Sequence, residues 1–128
     1  MSRSIAVVGA SADRHKFGNK SVRAYASAGW TVYPINPNES TVEELPAFAS
    51  LSAAEAAAGE PIERISVYLP PAITRGILPE IAAAGARDTF FNPGSADATV
   101  LEEAAELGIA VRDACSIVDI GLSPAQFP

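Results

Sequence analysis

The sequence predicts an α/β fold, a parallel sheet of five strands with helices on both faces, and three observations carry that prediction. Short apolar runs alternate with helix-like stretches along all 128 residues. The first run, "SIAVVG", is apolar on consecutive positions, as a strand covered on both faces requires. Turn-forming Gly, Pro, Asn and Ser cluster after the strands, whereas the loops that lead into them ("AGW", "GEPIE", "AGARD", "LGIA") are plainer.

The elements follow in order. Ser4–Gly9 ("SIAVVG") reads as the first strand. Asn19–Gly29 has Val22, Tyr25 and Ala26 at helical spacing, with Gly29 suited to a C-terminal cap. Thr31–Asn36 is the second strand, Thr41–Leu51 is irregular, and Ser52–Pro61 is a short alanine-rich helix ended by Gly59. Arg64–Pro70 is the third strand, and Pro71 can open the next helix, to Gly85, because its missing N–H would have no partner there. Asp88–Asn92 is the fourth strand, Ala98–Gly108 a helix, and Ile109–Asp113 a short fifth strand. The tail beyond is expected to form one helical turn and then a loosely ordered end from about residue 120. Right-handed crossovers leave few topologies, of which strand order 3-2-1-4-5 is the expectation, with its switch point between strands one and four. The whole chain, residues 1–128, reads as one Rossmann-like domain.

Composition narrows the function. The chain is 48% hydrophobic and 19% charged, with a net charge of −6, which disfavours a nucleic-acid partner. No apolar run approaches the ~18 residues of a membrane span, and a cytoplasmic location is expected. One cysteine and one histidine offer neither a disulfide framework nor a metal cluster. Against this acidic background Arg14, Lys16, Lys20 and Arg23, with His15, form a positive island beside the first loop.

In open α/β sheets ligands bind beyond the carboxyl ends of the strands. Here those ends read Gly9-Ala10-Ser11, Asn36-Pro37-Asn38, Leu69-Pro70-Pro71 and Asn92-Pro93-Gly94-Ser95. Gly9 permits a sharp exit from the strand, small Ala10 and Ser11 let backbone amides approach a phosphate, and a helix N-terminus adds positive potential. The next glycine, Gly18, comes nine residues later, so neither the dinucleotide fingerprint nor the P-loop is met. The insertion "ADRHKF" is expected to fold over the ligand and bring Arg14, His15 or Lys16 onto phosphate oxygens. The second strand ends on Asn36 instead of the acid that NAD binding usually places there. That makes NAD less favoured and admits a 3′-phosphorylated adenosine.

"VVGAS" with a following "KFGN", then "GWTVYPINP", "SVYLPP" and "FFNPGS", resemble the small single-domain CoA-binding proteins, which are similar to the CoA-binding domain of the succinyl-CoA synthetase alpha subunit. The resemblance runs from Ile5 to about Asp119. It implies a Rossmann-like fold that holds coenzyme A across the strand ends. On that model Gly9, Ala10, Ser11, Arg14, His15 and Lys16 face the phosphates, and Asn36, Pro37 and Asn38 border the adenosine. Tyr68, Leu69 and Pro70 form an apolar wall, and Asn92, Pro93 and Gly94 flank the pantetheine. Ala114 stands where an arginine is common in the family's Asp-Arg-Cys.

No catalytic constellation is visible: His15 reads as a loop residue, Cys115 as a small buried cysteine, and Tyr33, Tyr68 and Trp30 as packing. Three readings follow. The first is a non-catalytic module binding CoA or an acyl-CoA. A second is a CoA-binding component of an acyl-CoA synthetase that acts in trans. The third is an NAD(P)-binding sensor. Ile117, Val118, Ile120 and Leu122 in the tail suggest either a homodimer contact or a cover for the last helix.

Overall fold

A computed structural model describes residues 3–128. Its elements are β1 (Ser4–Val8), α1 (Phe17–Ser27), β2 (Thr31–Ile35), β3 (Thr41–Val42), β4 (Leu45–Pro46), α2 (Leu51–Ala58), β5 (Arg64–Val67), α3 (Pro71–Ala84), β6 (Asp88–Phe91), α4 (Ala98–Glu106), β7 (Val111–Arg112) and α5 (Ser116–Asp119). A 3-10 turn, Pro124–Gln126, follows. Helix α3 starts with Pro71 in its first turn, as its lack of an N–H allows. Among the described residues no helix is long and apolar enough to cross a membrane.

Five strands form one parallel sheet in the order β2-β1-β5-β6-β7. Counted by the five strands expected from sequence, this is 2-1-3-4-5, so the expected order 3-2-1-4-5 is corrected. The third strand, β5, pairs with β1 (Ile5 opposite Arg64, Val8 opposite Val67) and not with β2. The reason lies in the segment read as irregular. Residues 41–46 fold into the β3–β4 hairpin, and the chain leaving it runs along the outer edge of β2. There the Phe48 amide donates to the Pro34 carbonyl and the Asn36 amide to the Phe48 carbonyl, both at 2.9 Å. With that edge occupied, the chain crosses through α2 and returns on the free side of β1. The switch point therefore falls between β1 and β5.

Alternate side chains of the strands feed two cores. Ala6, Val8, Ile65, Val67 and Phe91 pack under α2, α3 and α4 with Leu51, Leu78, Ile81 and Val100. Ile5, Val7 and Val32 pack on the other face against Val22 and Tyr25 of α1. Strand β5 is buried along its whole length, as the central strand of such a sheet must be.

The α1 face also holds a buried charge. The side chain of Arg64 is 7% exposed and lies between the Trp30 and Phe90 rings, its guanidinium 5.1 and 4.6 Å from their centres. It donates to both carboxylate oxygens of Asp88, its cross-strand neighbour, at 2.8 and 3.0 Å. A third bond, 2.8 Å, reaches Asp119 at the end of α5. Burial works against this charge, but Asp88 and the Tyr25 hydroxyl more than offset it and its pKa rises. Tyr25 in turn donates to the Ser116 carbonyl at 2.7 Å. One arginine thus locks α5 onto the sheet and onto α1.

The tail continues past α5 to α1. Arg23 donates to the Phe127 carbonyl at 2.9 Å and to the Pro128 carbonyl at 3.3 Å. Ile117 is wholly buried, whereas Val118 is 59% exposed.

Candidate functional site

The carboxyl end of the sheet carries a cleft of two lobes. Two close backbone approaches build its floor. Gly9 leaves β1 with φ of 89°, a conformation that favours glycine, and a Cβ there would lie 2.5 Å from the Tyr68 carbonyl oxygen of the neighbouring strand end. A Cβ on Gly18 would in turn run into the Gly9 carbonyl oxygen. The first turn of α1 can therefore sit directly on the loop after β1. Gly18 does for close helix packing what the last glycine of a dinucleotide fingerprint does, reached through a longer loop.

That loop is braced by its own polar groups. The Asp13 amide donates to the Ser11 hydroxyl at 3.0 Å, and the His15 amide to the Asp13 carboxylate at 2.9 Å. The His15 amide, the largest of several contributions, holds the Asp13 carboxyl below its ordinary pKa. Asn19 donates to the Ser11 carbonyl at 2.8 Å, and Arg23 to the Arg14 carbonyl at 2.8 Å. The amides of Gly9 and Ala10 both donate to the Ile35 carbonyl, at 3.1 and 3.2 Å. They are spent on the turn. From Gly9 to Gly18 the amides with no partner among the described residues are those of Ser11, Ala12 and Arg14 in the loop and of Phe17 and Gly18 in the first turn of α1, where a helix leaves its N–H groups unpaired.

The expected cations separate. Arg14 leans on Glu43 at 3.4 Å, and His15, its side chain 94% exposed, lies 3.3 Å from Asp13; neither lines a lobe. Arg23 is committed to carbonyls of the loop and the tail. Lys16 is left as the loop cation on the cleft, and it lines both lobes.

The larger lobe, about 510 Å³, lies between the β2 and β5 ends and is bounded by Gly9, Ala10, Ser11, Asn36, Pro37, Asn38, Tyr68 and Leu69. Asn36 is a brace: its side chain donates to the Ala10 carbonyl and accepts from the Asn38 amide, both at 2.8 Å. Sequence reasoning did not reach the helical part of this wall, Leu51 of α2 and Ile73, Ile77 and Glu80 of α3. The one available signal was the i, i+4, i+7 spacing of those α3 residues on a single helical face. The smaller lobe, about 370 Å³, lies between the β5 and β6 ends. Tyr68, Leu69, Pro70, Pro71 and Pro93 make it apolar, with Gly94, Ser95 and the exposed ring of Phe17 at its rim.

Asn92 reaches neither lobe. It is 2% exposed, donates to the Ser66 hydroxyl and the Val67 carbonyl at 2.9 Å, and accepts the Ser116 amide at 2.8 Å. It pins α5 beneath the loop, while its neighbours Pro93 and Gly94 face the cleft. The Tyr68 ring lines both lobes while its hydroxyl lies 3.2 Å from the Ser116 hydroxyl, and burial raises its pKa. Among the described residues no three His, Cys, Asp or Glu side chains come together to hold a metal ion.

An open, doubly wound sheet with a glycine-floored cleft at its switch point defines a nucleotide-binding type of α/β domain. The chain belongs to the family described as CoA binding domain, whose model matches residues 3–121. Among solved structures it is similar to a conserved hypothetical protein from Pyrococcus furiosus, with 27% identity and a TM-score of 0.79, covering 91% of this chain and 98% of that one. A Thermus thermophilus protein shares 27% identity at a TM-score of 0.81, over 94% of this chain and 89% of its own. The apo form of the dinucleotide-forming acetyl-coenzyme A synthetase 1 of Ca. Korarchaeum cryptofilum shares 26% identity at a TM-score of 0.69. That match covers 84% of this chain and 25% of the synthetase chain. No curated protein matches the sequence.

Proposed function

We propose that this protein is a non-catalytic module that binds coenzyme A or an acyl-CoA across both lobes of the cleft. The observation that carries the reading is the junction of the lobes, where Lys16 and the unpaired amides of Phe17 and Gly18 stand together. The diphosphate would lie there, drawn by the ammonium group and the helix N-terminus. Asn36, Pro37 and Asn38 would border the adenosine in the larger lobe. Tyr68, Leu69, Pro70, Pro93 and Gly94 would hold the pantetheine in the smaller, whose apolar walls suit an uncharged chain. Of the expected phosphate ligands, Arg14 and His15 would take part only if the loop closed further over the ligand.

Membership of the CoA binding domain family supports the ligand. The neutral, braced Asn36 at the β2 tip supports CoA over NAD, since a ribose 2′,3′-diol finds no carboxylate there. The position of His15 supports a binding role, because the one histidine of the chain stands outside both lobes. A second reading, a CoA-binding component that works with a separate catalytic chain, is favoured by the likeness to one quarter of the Korarchaeum synthetase chain.

Titration calorimetry tests the reading. Protein stripped of carried-over ligand by unfolding and refolding is titrated with CoA, dephospho-CoA, NAD, NADH and ATP at one salt concentration. Saturable CoA binding, weaker for dephospho-CoA and absent for NAD, is expected. Tight NADH binding without a response to CoA would overturn it.

A further inference from the structure

We infer that Glu80 selects the base of the bound nucleotide, accepting a hydrogen bond from the amino group of adenine, and so fixes which way the ligand lies. The inference rests on the CoA reading and adds the residue that discriminates.

Glu80 and Lys16 are the two charged side chains on the wall of the larger lobe. Lys16 stands where the two lobes meet, while Glu80 lines the larger lobe alone. The lobe therefore has a cationic mouth and an anionic far wall. A phosphate cannot lie against the far wall, although α2 begins there, because the Glu80 carboxylate already occupies that helix N-terminus: its Oε1 accepts the Leu51 amide at 2.9 Å. Oε2 has no partner among the described residues. Between the two charges the wall is apolar, made by Ile35, Leu69, Ile73 and Ile77, which suits the faces of a flat aromatic base. A base lying there meets one strong acceptor, held in place by a backbone amide. Adenine offers the matching N–H donors. A base with a carbonyl oxygen at the same ring position would set oxygen against carboxylate.

The test compares CoA with its hypoxanthine analogue, in which that oxygen replaces the amino group, and ATP with inosine triphosphate. The wild-type protein is expected to bind the adenine member of each pair at least about tenfold more tightly, as suits a hydrogen bond to a charged group. Glu80→Gln keeps an acceptor for the Leu51 amide and turns an N–H donor to the lobe, so the preference should vanish or invert with the fold unchanged. Glu80→Ala should lose the preference as well, with circular dichroism checking α2. Equal binding of the pairs by wild type, or a preference that survives both substitutions, overturns the inference. If CoA fails to bind while ATP still outcompetes inosine triphosphate in a Glu80-dependent way, the CoA reading falls and the role of Glu80 stands. If no nucleotide binds, both fall.

Discussion

Gly18 and Gly76 are both helical glycines, and the structure predicts opposite outcomes for the same substitution. Alanine at 18 drives a methyl group into the Gly9 carbonyl oxygen. Nothing flexible can swing aside, because the obstacle is backbone and the Gly9 amide is tied to the Ile35 carbonyl at 3.1 Å. Relief comes only by lifting α1 off the loop, and overpacking of this kind costs about 1–3 kcal/mol. With backbone on both sides of the contact, the upper end is expected. Alanine at 76 meets nothing within 4 Å on the exposed side of α3. There the gain in helix propensity, about 0.5–1 kcal/mol, is unopposed. The two variants should therefore differ by about 3 kcal/mol in urea unfolding. With slopes of roughly 1–3 kcal/mol per molar urea, their midpoints separate by about 1 M or more, Gly18→Ala below wild type and Gly76→Ala above it. Gly18→Ala should also weaken CoA, because it displaces the Phe17 and Gly18 amides, whereas Gly76→Ala should not. A Gly18→Ala protein as stable as wild type would refute the claim that backbone contact seats α1.

Further outcomes follow from the same contacts. Lys16→Glu should cut CoA affinity by at least about tenfold, replacing a charge-assisted contact of about 1.5–3 kcal/mol with repulsion, while the unfolding midpoint stays put; calorimetry and urea titration read the two. Arg64→Ala leaves Asp88 and Asp119 without their shared cation and should destabilise by about 3 kcal/mol in urea unfolding. Burial pushes the Tyr25 hydroxyl pKa above its ordinary 10.0, although Arg64 opposes that shift. A raised folded-state pKa gives stability that is whole below pH 10 and lost as pH climbs through the folded value. Tyr25→Phe should cost about 1 kcal/mol at neutral pH and flatten the decline above pH 10, measured by urea unfolding across pH.

Much of the architecture was legible because strands and helices announce themselves by local pattern. "SIAVV" is apolar enough for a sheet covered on both faces, and Pro71 marks the start of α3. The hairpin at 41–46 was not legible. Its strands have two residues each, and its turn places Glu43 and Glu44 at φ of 50° and 67°, where Gly or Asn would have been the usual signal. The strand order was lost with it, since the edge of β2 is taken by Phe48, a residue with no local mark of that role. At the site, Gly9, Lys16, Asn36–Asn38 and Tyr68–Pro70 were legible from their places after strands, and the structure brings them to one cleft. Asn92 shows the limit of that logic: it follows a strand like the others, yet its amide turns inward to hold Ser66, Val67 and Ser116.

The sequence by itself determined the class of fold, the end of the sheet that carries the cleft, and the family to which the chain belongs. Each depends on neighbours along the chain: periodicity, turn residues and short motifs at strand ends. Only the tertiary structure decided the strand order, which amides and cations stay free at the first loop, and the part played by α3. Those depend on which groups find partners from distant segments. Glu43 draws Arg14 aside, Phe127 and Pro128 engage Arg23, and Ile35 takes the Gly9 and Ala10 amides. Lys16, the Ser11 amide and the first turn of α1 are what these long-range contacts leave at the cleft.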